Sequence, residues 1–250
     1  MRLHSISRAQ VAFGLALLAS LSRPAAAQFG QLHPSFYGST EIDTRHSAFY
    51  LAGLYIGVGG FGWSPYLNVN GYGLNYRPVA GLTTTSTLSA IAPTLGLAYA
   101  QRNQGVSFGA GYNWVHNENP GAPGAEGGGS TGVTASFGAY RIGNPRRGLR
   151  TQLLSNYNFD SRYVWARARA SVPFSRSQQH PSRMGAEIVG QGGGRDGSKS
   201  NSFQAGPTFE YTWTSNLRST LAGGWKTIGG PAFPDRENAG YIKLDFSVSP

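Results

Sequence analysis

The segment Arg162–Phe174 (RYVWARARASVPF) alternates apolar and polar side chains with a period of two. Successive side chains of a β-strand point to opposite faces, so this period predicts a strand. One face carries only small apolar side chains: Val164, Ala166, Ala168, Ala170 and Val172. The other face carries Tyr163, Trp165, Arg167, Arg169 and Ser171. In a membrane barrel the apolar face would meet lipid and the two arginines would face the lumen.

The segment Ala239–Ser249 (AGYIKLDFSVS) repeats this pattern near the end of the chain. Its apolar face consists of Ile242, Leu244, Phe246 and Val248. Its polar face consists of Tyr241, Lys243, Asp245 and Ser247. A second strand with one lipid-compatible face and one charged face is therefore predicted here.

Ten further segments show weaker alternation, because Gly and Ala replace larger side chains. They are Ser35–Asp43, Ala48–Gly59, Pro65–Arg77, Leu88–Ala100, Val106–Asn117, Thr131–Ile142, Leu149–Asp160, Met184–Gly190, Ser202–Trp213 and Leu217–Ile228. Together with the two clear strands they make about twelve, and an even number is typical of a single-chain bacterial barrel. After the N-terminal segment no apolar run approaches the 18 or so residues of a transmembrane helix.

The predicted connections alternate in length, as expected for a barrel with short turns at one end and longer loops at the other. The short turns are Gly60–Ser64, Gln101–Gly105, Gly143–Gly148, Ser175–Arg183 and Thr214–Asn216. The longer loops are Pro78–Thr87, Glu118–Ser130, Gln191–Asn201 and Gly229–Asn238. Two connections on the long-loop side, at Thr44–Ser47 and at Ser161, are short and depart from this pattern.

The N-terminus has the order of a secretory signal peptide. Arg2 and Arg8 precede the apolar run Val11–Leu21, and the small residues Ala25–Ala27 come just before Gln28. An apolar run of this length is too short to span a membrane as a helix. We therefore expect residues 1–27 to be a cleaved leader and residues 28–250 to form one domain; an uncleaved anchor or a buried helix is the alternative.

Composition agrees with export and with a membrane barrel. Charged residues make up only 13% of the chain and aromatic residues 12%, with 36 glycines and no cysteine. Disordered segments are poor in aromatic residues, whereas membrane barrels need aromatic girdles and an uncharged outer wall. Three of the 21 basic residues and none of the 11 acidic residues lie in the leader, which leaves a formal charge of +7. In an exported chain this charge favours anionic lipid or polysaccharide over nucleic acid.

Candidate catalytic and metal-binding residues are few. His33, His46, His116 and His180 are isolated in sequence, and neither a His-x-x-x-His spacing nor a carboxylate cluster is present. We therefore expect no metal, no cofactor and no enzymatic activity. A His–Ser pair on adjacent strands would suit an outer-membrane lipid hydrolase of the lipid A deacylase or phospholipase type. His46-Ser47 and His116-Asn117 are the candidates for that alternative.

The polar strand faces define the candidate lumen site. Its residues are Tyr163, Trp165, Arg167, Arg169, Glu187, Lys243 and Asp245, with Glu41 and Glu210 as further candidates. Two interpretations remain open: the charges pair across the interior and plug it, or they line a narrow polar path with aromatic platforms for a sugar or another polar solute. Trp63, Tyr66, Tyr72 and Tyr76 are candidates either for interface belts or for lumen packing.

Several stretches resemble the cellulose biosynthesis protein BcsS family. They are Phe36–Glu41 (FYGSTE), Ala48–Gly53 (AFYLAG), Gly71–Arg77 (GYGLNYR), Ser155–Tyr157 (SNY), Tyr163–Arg169 (YVWARAR), Met184–Glu187 (MGAE), Phe203–Gly206 (FQAG), Gly223–Gly224 and Gly240–Leu244 (GYIKL). They span most of the mature chain in the same order. The resemblance implies an accessory role in bacterial cellulose production or export and assigns no catalytic residue.

The combined prediction is an all-β protein, an antiparallel transmembrane β-barrel of about twelve strands in the outer membrane. Its expected function is non-enzymatic and accessory to cellulose or another exopolysaccharide. Its expected partners are outer-membrane lipid and cellulose or components of the cellulose secretion system. The rival hypotheses are an outer-membrane lipid hydrolase, a general small-solute porin and a soluble periplasmic β-sandwich.

Overall fold

The computed structural model describes residues 32–76, 86–117, 131–143, 148–175, 177, 180–194, 200–230 and 233–249. In this part of the chain every regular element is a β-strand, and there are twelve. They are β1 (Leu32–Asp43), β2 (Ala48–Val58), β3 (Gly62–Tyr76), β4 (Ser86–Gln101), β5 (Gln104–Asn117), β6 (Gly132–Ile142), β7 (Arg150–Asn158), β8 (Tyr163–Pro173), β9 (Ser182–Gly193), β10 (Ser200–Thr212), β11 (Leu217–Gly230) and β12 (Phe233–Val248).

Each strand pairs with its neighbours in sequence, and β1 pairs with β12 to close a barrel. All pairs are antiparallel, and the closing pair runs from Phe36 opposite Val248 to Asp43 opposite Tyr241. Closure leaves no sheet edge with unpaired backbone groups, which is the condition for a sheet to cross a bilayer. The predicted all-β barrel is confirmed, and each predicted strand overlaps an observed one.

The connections divide between two ends. The proximal end is where β1 begins and β12 ends. The strand bounds leave short connections there at 59–61, 102–103 and 213–216, each overlapping a predicted turn. Two further predicted turns, Gly143–Gly148 and Ser175–Arg183, lie partly outside the described residues. The distal end is the opposite one. There the predicted loop Gly229–Asn238 is wrong in extent, because β11 continues to Gly230 and β12 begins at Phe233, with an irregular register between Ile228 and Gly230. Main-chain pairing continues through a segment whose Gly, Pro and charged residues resemble a loop in sequence.

Other predicted segments fall wholly or partly outside the described residues. The leader 1–27 and the loop Glu118–Ser130 lie outside them entirely. Of the loop Pro78–Thr87, residues 78–85 lie outside, and of the loop Gln191–Asn201, residues 195–199. The described strands β9 and β10 extend to Gly193 and from Ser200, which makes that connection shorter than predicted.

The outer wall of the barrel is apolar. Large hydrophobic side chains stand exposed at alternate positions, for example Leu95 at 67% exposure on β4, and Ile242, Leu244 and Phe246 on β12. Val164 and Val172 occupy the same face of β8. A continuous apolar surface of this kind is unfavourable in water and favourable against lipid tails, so the barrel is a transmembrane one. Among the described residues, no helix is long and apolar enough to cross a membrane.

Aromatic side chains cluster on this outer wall towards both ends of the strands. Tyr112 and Trp114 on β5 have ring centroids 4.8 Å apart near the distal end. Trp63 packs against Tyr99 at 5.3 Å near the proximal end and is 61% exposed. Rings at these levels match the aromatic girdles of membrane barrels. Of the four aromatic residues left open above, Trp63 therefore faces outward.

Placing a charge in the apolar band tests the membrane assignment. We expect Leu244→Arg to lower the free energy of unfolding from lipid vesicles by about 2–4 kcal/mol, because a guanidinium near the bilayer centre loses its hydration. The matched control is Ser89→Arg, at an exposed outward position close to the distal end of β4, where the expected cost is about 0–1 kcal/mol. Urea titration of folded barrels measures both values, and equal costs would contradict the assignment.

Candidate functional site in the barrel lumen

The structure places all seven predicted site residues at lumen-facing positions. Tyr163, Trp165, Arg167 and Arg169 alternate along β8, Glu187 lies on β9, and Lys243 and Asp245 lie on β12. Arg169 and Glu187 are direct partners in the β8–β9 ladder. The alternation detected in sequence therefore corresponds to the inside and the outside of the barrel.

Five of these residues form one ion-pair network, here called the central layer: Arg167, Arg169, Glu187, Lys243 and Asp245. Arg169 donates from Nε to Glu187 at 3.0 Å and from Nη2 to both Glu187 and Asp245. Lys243 donates to the other oxygen of Glu187. Arg167 reaches Asp245 at 3.4 Å. Each carboxylate thus accepts from two cations.

The central layer crosses the interior. In the strand order β8 and β12 are four strands apart, so the contact from Arg169 to Asp245 runs across the lumen instead of along the wall. Twelve strands about 4.8 Å apart and tilted by roughly 40° enclose a barrel about 24 Å wide, which long side chains from one wall can partly fill. The Glu187 side chain is 0% exposed. The ion pairs bury this carboxylate, while a cavity of about 730 Å³, lined in part by Tyr140, Gln152 and Arg169, lies beside them.

Neutral polar groups complete the central layer. Ser39 of β1 donates to Asp245 at 2.7 Å, and Arg167 donates to Gln152 of β7 at 3.3 Å. The Arg167 guanidinium also lies 6.0 Å from the ring centroid of Trp165. Buried charges are tolerated only when paired and hydrogen-bonded, and this network meets that condition except at Arg167 Nε, which has no partner.

A second ion-pair group lies on β1 and β11. Lys226 contacts Glu41 and Asp43 at 3.3 Å each, and Gln204 of β10 donates to Glu41. Glu41 was a predicted lumen candidate, whereas Lys226 and Asp43 were not. The sequence signal that could have identified Lys226 as a lumen residue is the period of two in β11, because Lys226 is next to the outward-facing Trp225.

An apolar cluster crosses the lumen nearer the distal end, here called the distal layer: Leu74, Tyr76, Leu88 and Ile228. Tyr76 is 1% and Ile228 0% exposed. Ile228 on β11 is four strands away from Tyr76 on β3, so this cluster also spans the interior. Tyr72 packs against it, and both tyrosines are therefore lumen residues. Sequence reasoning left lumen packing open for Tyr72 and Tyr76. It did not predict the inward position of Leu74, Leu88 and Ile228, because apolar residues in a barrel strand were expected to face lipid.

The wall formed by β2–β6 carries no charged side chain at its described lumen-facing positions. Tyr37 of β1 donates to Asn68 at 2.7 Å and to Asn70, which join it to β3. Tyr55 and Tyr66 stack with ring centroids 5.1 Å apart. Tyr66 lies over glycines of β4 and β5: a Cβ atom would overlap its ring at Gly96 and its hydroxyl oxygen at Gly109. This wall is thus an array of aromatic rings and amides.

The histidine candidates lie away from the lumen chemistry. His46 is exposed in the β1–β2 turn with φ of 63°, and the adjacent Ser47 hydroxyl is buried without a partner. His116 lies on the outer wall opposite Ser89 of β4, and the described part of the chain has no hydrogen bond between their side chains. No group of three potential metal ligands occurs among the described residues.

Neither a family model nor a curated protein matches the chain. Similar solved structures include the β domain of the Bordetella autotransporter BrkA, at 10% identity, covering 89% of this chain and 100% of that one, with a TM-score of 0.48. LpxR from Salmonella typhimurium has 11% identity, 86% and 99% coverage and a TM-score of 0.47. The KdgM porin has 8% identity, 86% and 99% coverage and a TM-score of 0.44. Similarities this low carry no argument about the site.

The class of the protein follows from its own geometry. A closed antiparallel barrel with an apolar exterior, aromatic girdles and a charged interior is an outer-membrane β-barrel protein. Within this class it has a lumen crossed by side chains in at least two layers, one ionic and one apolar.

Removing one partner from the central layer should destabilise the barrel. We expect Glu187→Ala to lower the free energy of unfolding by about 3–5 kcal/mol, because Lys243 is left as a buried, uncompensated charge and Arg169 loses one of its two carboxylates. Adding Lys243→Met should restore part of this loss, since the second cation is then removed as well. Urea titration in lipid vesicles compares the two; a double variant as unstable as the sum of both single variants would contradict the proposed pairing.

Proposed function

We propose that this outer-membrane barrel is a non-enzymatic accessory component of bacterial exopolysaccharide production, and that the polysaccharide is cellulose. The resemblance of its sequence to the BcsS family supports the cellulose assignment. The observation that carries the functional argument is the obstructed lumen, in which the ion pairs of the central layer cross the interior and bury Glu187. A barrel whose lumen is crossed by two side-chain layers suits a regulated or scaffolding role beside a secretion system.

The two side-chain layers that cross the lumen also argue against a general small-solute porin. Such a pore needs a continuous water-filled path, as in larger barrels. Here the ion pairs of the central layer and the apolar side chains of the distal layer lie one above the other along the barrel. A solute would have to displace both layers. The interpretation of the lumen charges as a plug that stabilises the barrel is therefore part of the proposal.

The neutral wall gives the proposal its link to sugars. Saccharides stack their apolar faces on aromatic rings and hydrogen-bond to amides through their hydroxyl groups. Tyr55 and Tyr66 provide stacked rings, and Asn68 and Asn70 lie on the same wall. Once the layers open, this wall would offer a neutral glucan a suitable surface. The expected partners are accordingly lipid and the polysaccharide or its secretion machinery, with no nucleic acid and no cofactor.

A lipid hydrolase is the second candidate, and one observation favours it. His116 and Ser89 face each other on adjacent strands at an exposed position close to the distal end of the outer wall, where lipid headgroups lie. A histidine that activates a serine must reach it by a hydrogen bond, although such bonds are often long before substrate binds. The functional test below therefore also measures the turnover of phospholipid and lipid A, which a lipid hydrolase would alter.

Deleting the gene tests the proposed function. We expect extracellular cellulose, measured as glucose released by added cellulase, to fall in the deletion strain and to return when the wild-type chain is supplied. The matched control is the chain with Ser89→Ala and His116→Ala, which should restore cellulose equally because both changes leave the lumen intact. Normal cellulose in the deletion strain would contradict the accessory role. Altered phospholipid or lipid A turnover in the deletion strain, uncorrected by the control chain, would favour the hydrolase.

Single-channel recording tests whether the central and distal layers block the flow of ions through the lumen. We expect the wild-type barrel in planar bilayers to show little or no steady conductance, because both layers block the path. Combining Ile228→Ala and Tyr76→Ala in the distal layer with Glu187→Ala and Lys243→Met in the central layer should increase conductance far more than either pair of changes alone. A large, stable wild-type conductance would favour a porin instead.

A further inference from the structure

The proximal end of the lumen holds a second group of charged residues, here called the proximal cluster: Arg150 on β7, Arg183 on β9, Glu210 on β10 and Arg218 on β11. Arg183 and Glu210 are direct partners in the β9–β10 ladder. Arg218 lies two positions along β11 from Thr220, the partner of Glu210. Arginine side chains at such diagonal positions are long enough to meet. The four residues therefore surround one part of the proximal lumen mouth.

The single carboxylate of the proximal cluster is already engaged. Arg150 donates to Glu210 from Nη1, while its buried Nε has no hydrogen-bond partner. Arg183 donates from Nη2 to the carbonyl groups of Gly148 and Ser171, at 2.6 and 2.9 Å, and from Nε to the Ser171 hydroxyl at 3.2 Å. These bonds hold the Arg183 guanidinium in place without neutralising its charge. Glu210 thus balances one of three cations.

Arg218 has no ion-pair or hydrogen-bond partner among the described residues. It occupies a lumen-facing position and is exposed at the mouth. Around it the β7–β11 wall contributes the other two guanidinium groups, and the neutral β2–β6 wall contributes no carboxylate among its described lumen positions. Asp245 of β12, which is opposite Thr220 on the other side of β11, is a second carboxylate near Arg218, but it already pairs with Arg167 and Arg169. The mouth is therefore locally positive.

The rest of the lumen is balanced. Deeper in the barrel, Arg167, Arg169, Lys226 and Lys243 are matched one for one by four carboxylates, Glu41, Asp43, Glu187 and Asp245. At the distal end Arg45 pairs with Glu237 at 2.6 Å. Among the lumen-facing residues that the structure describes, the excess of positive charge thus lies in the proximal cluster. Clustered arginines that outnumber their carboxylates suit an oxyanion such as a carboxylate or a phosphate, whose oxygens accept several hydrogen bonds from guanidinium groups.

We propose that the proximal cluster is a binding site for an oxyanion, the carboxylate or phosphate group of a small solute that reaches the proximal mouth. Arg218 and Arg150 contact the anion, Arg183 supplies fixed positive charge, and Glu210 competes with the ligand for Arg150. This site is independent of the proposed role in cellulose production, because it binds charge and cellulose carries none. A carboxylate source would be a sugar acid, and a phosphate source would be inorganic phosphate or a phosphate ester.

Titration calorimetry of the full-length folded barrel tests the site, with glucuronate and inorganic phosphate as probes and neutral cellotriose for comparison. We expect saturable binding of at least one anion, and the anion that binds identifies the source. Arg218→Ala should weaken it by about tenfold or more, since a charge-assisted contact is lost. Glu210→Gln should strengthen it, because the competing carboxylate is removed while the side-chain shape is kept. A purely structural role for Glu210 does not produce tighter anion binding.

The matched control is Arg141→Ala, which removes the same charge from an exposed, outward-facing position near the proximal end of β6. We expect anion affinity to be unchanged in this variant. Heat-modifiable gel migration checks that each variant is folded, and the exposed position of Arg218 favours folding. The proposal is overturned if neither anion binds, if Arg141→Ala and Arg218→Ala weaken binding equally, or if Glu210→Gln leaves affinity unchanged or reduced.

Discussion

The backbone pairing between β1 and β12 is the interaction on which the rest of the structure depends. In a bilayer each N–H and C=O group must find a partner within the protein, and an open sheet would leave two edges unpaired. Closure satisfies these edges and divides every strand into a lipid-facing and a lumen-facing side. It also brings β12 within side-chain reach of β8 across the interior, so that Arg169 and Asp245 can pair.

Because of this division, the charged side chains in the middle of the membrane-spanning strands lie in the lumen. The outer wall excludes charge because of the lipid, and the interior accepts it only when cations and carboxylates are matched. Deep in the barrel this matching is complete, and Lys226 and Lys243 each contact a carboxylate directly. The unmatched arginines lie at the proximal mouth, where water is available to solvate Arg218. The need to pair buried charges thus determines which side chains line the deep lumen. At the proximal mouth water can solvate an unpaired arginine, so a charge there is available to bind a ligand.

Much of the fold was predictable, because a period of two is a local property of the chain. It identified β8 and β12 directly and assigned Arg167, Arg169, Lys243 and Asp245 to one kind of face. The weak points were strand ends: residues 229–238 resemble a loop in composition, yet β11 continues to Gly230 and β12 begins at Phe233, its partner. Local composition does not report whether a partner strand is present to continue the ladder.

The sequence by itself determined the strands, their two faces and the types of side chain on each face. Only the tertiary structure decided which lumen side chains meet, since Tyr76 and Ile228, or Arg169 and Asp245, are far apart in the chain and are joined by closure and register. It also decided that the apolar side chains of the distal layer point inward, where alternation alone favoured lipid. The physical reason is that periodicity is set by neighbouring residues, whereas contacts across a barrel are set by how all its strands are aligned.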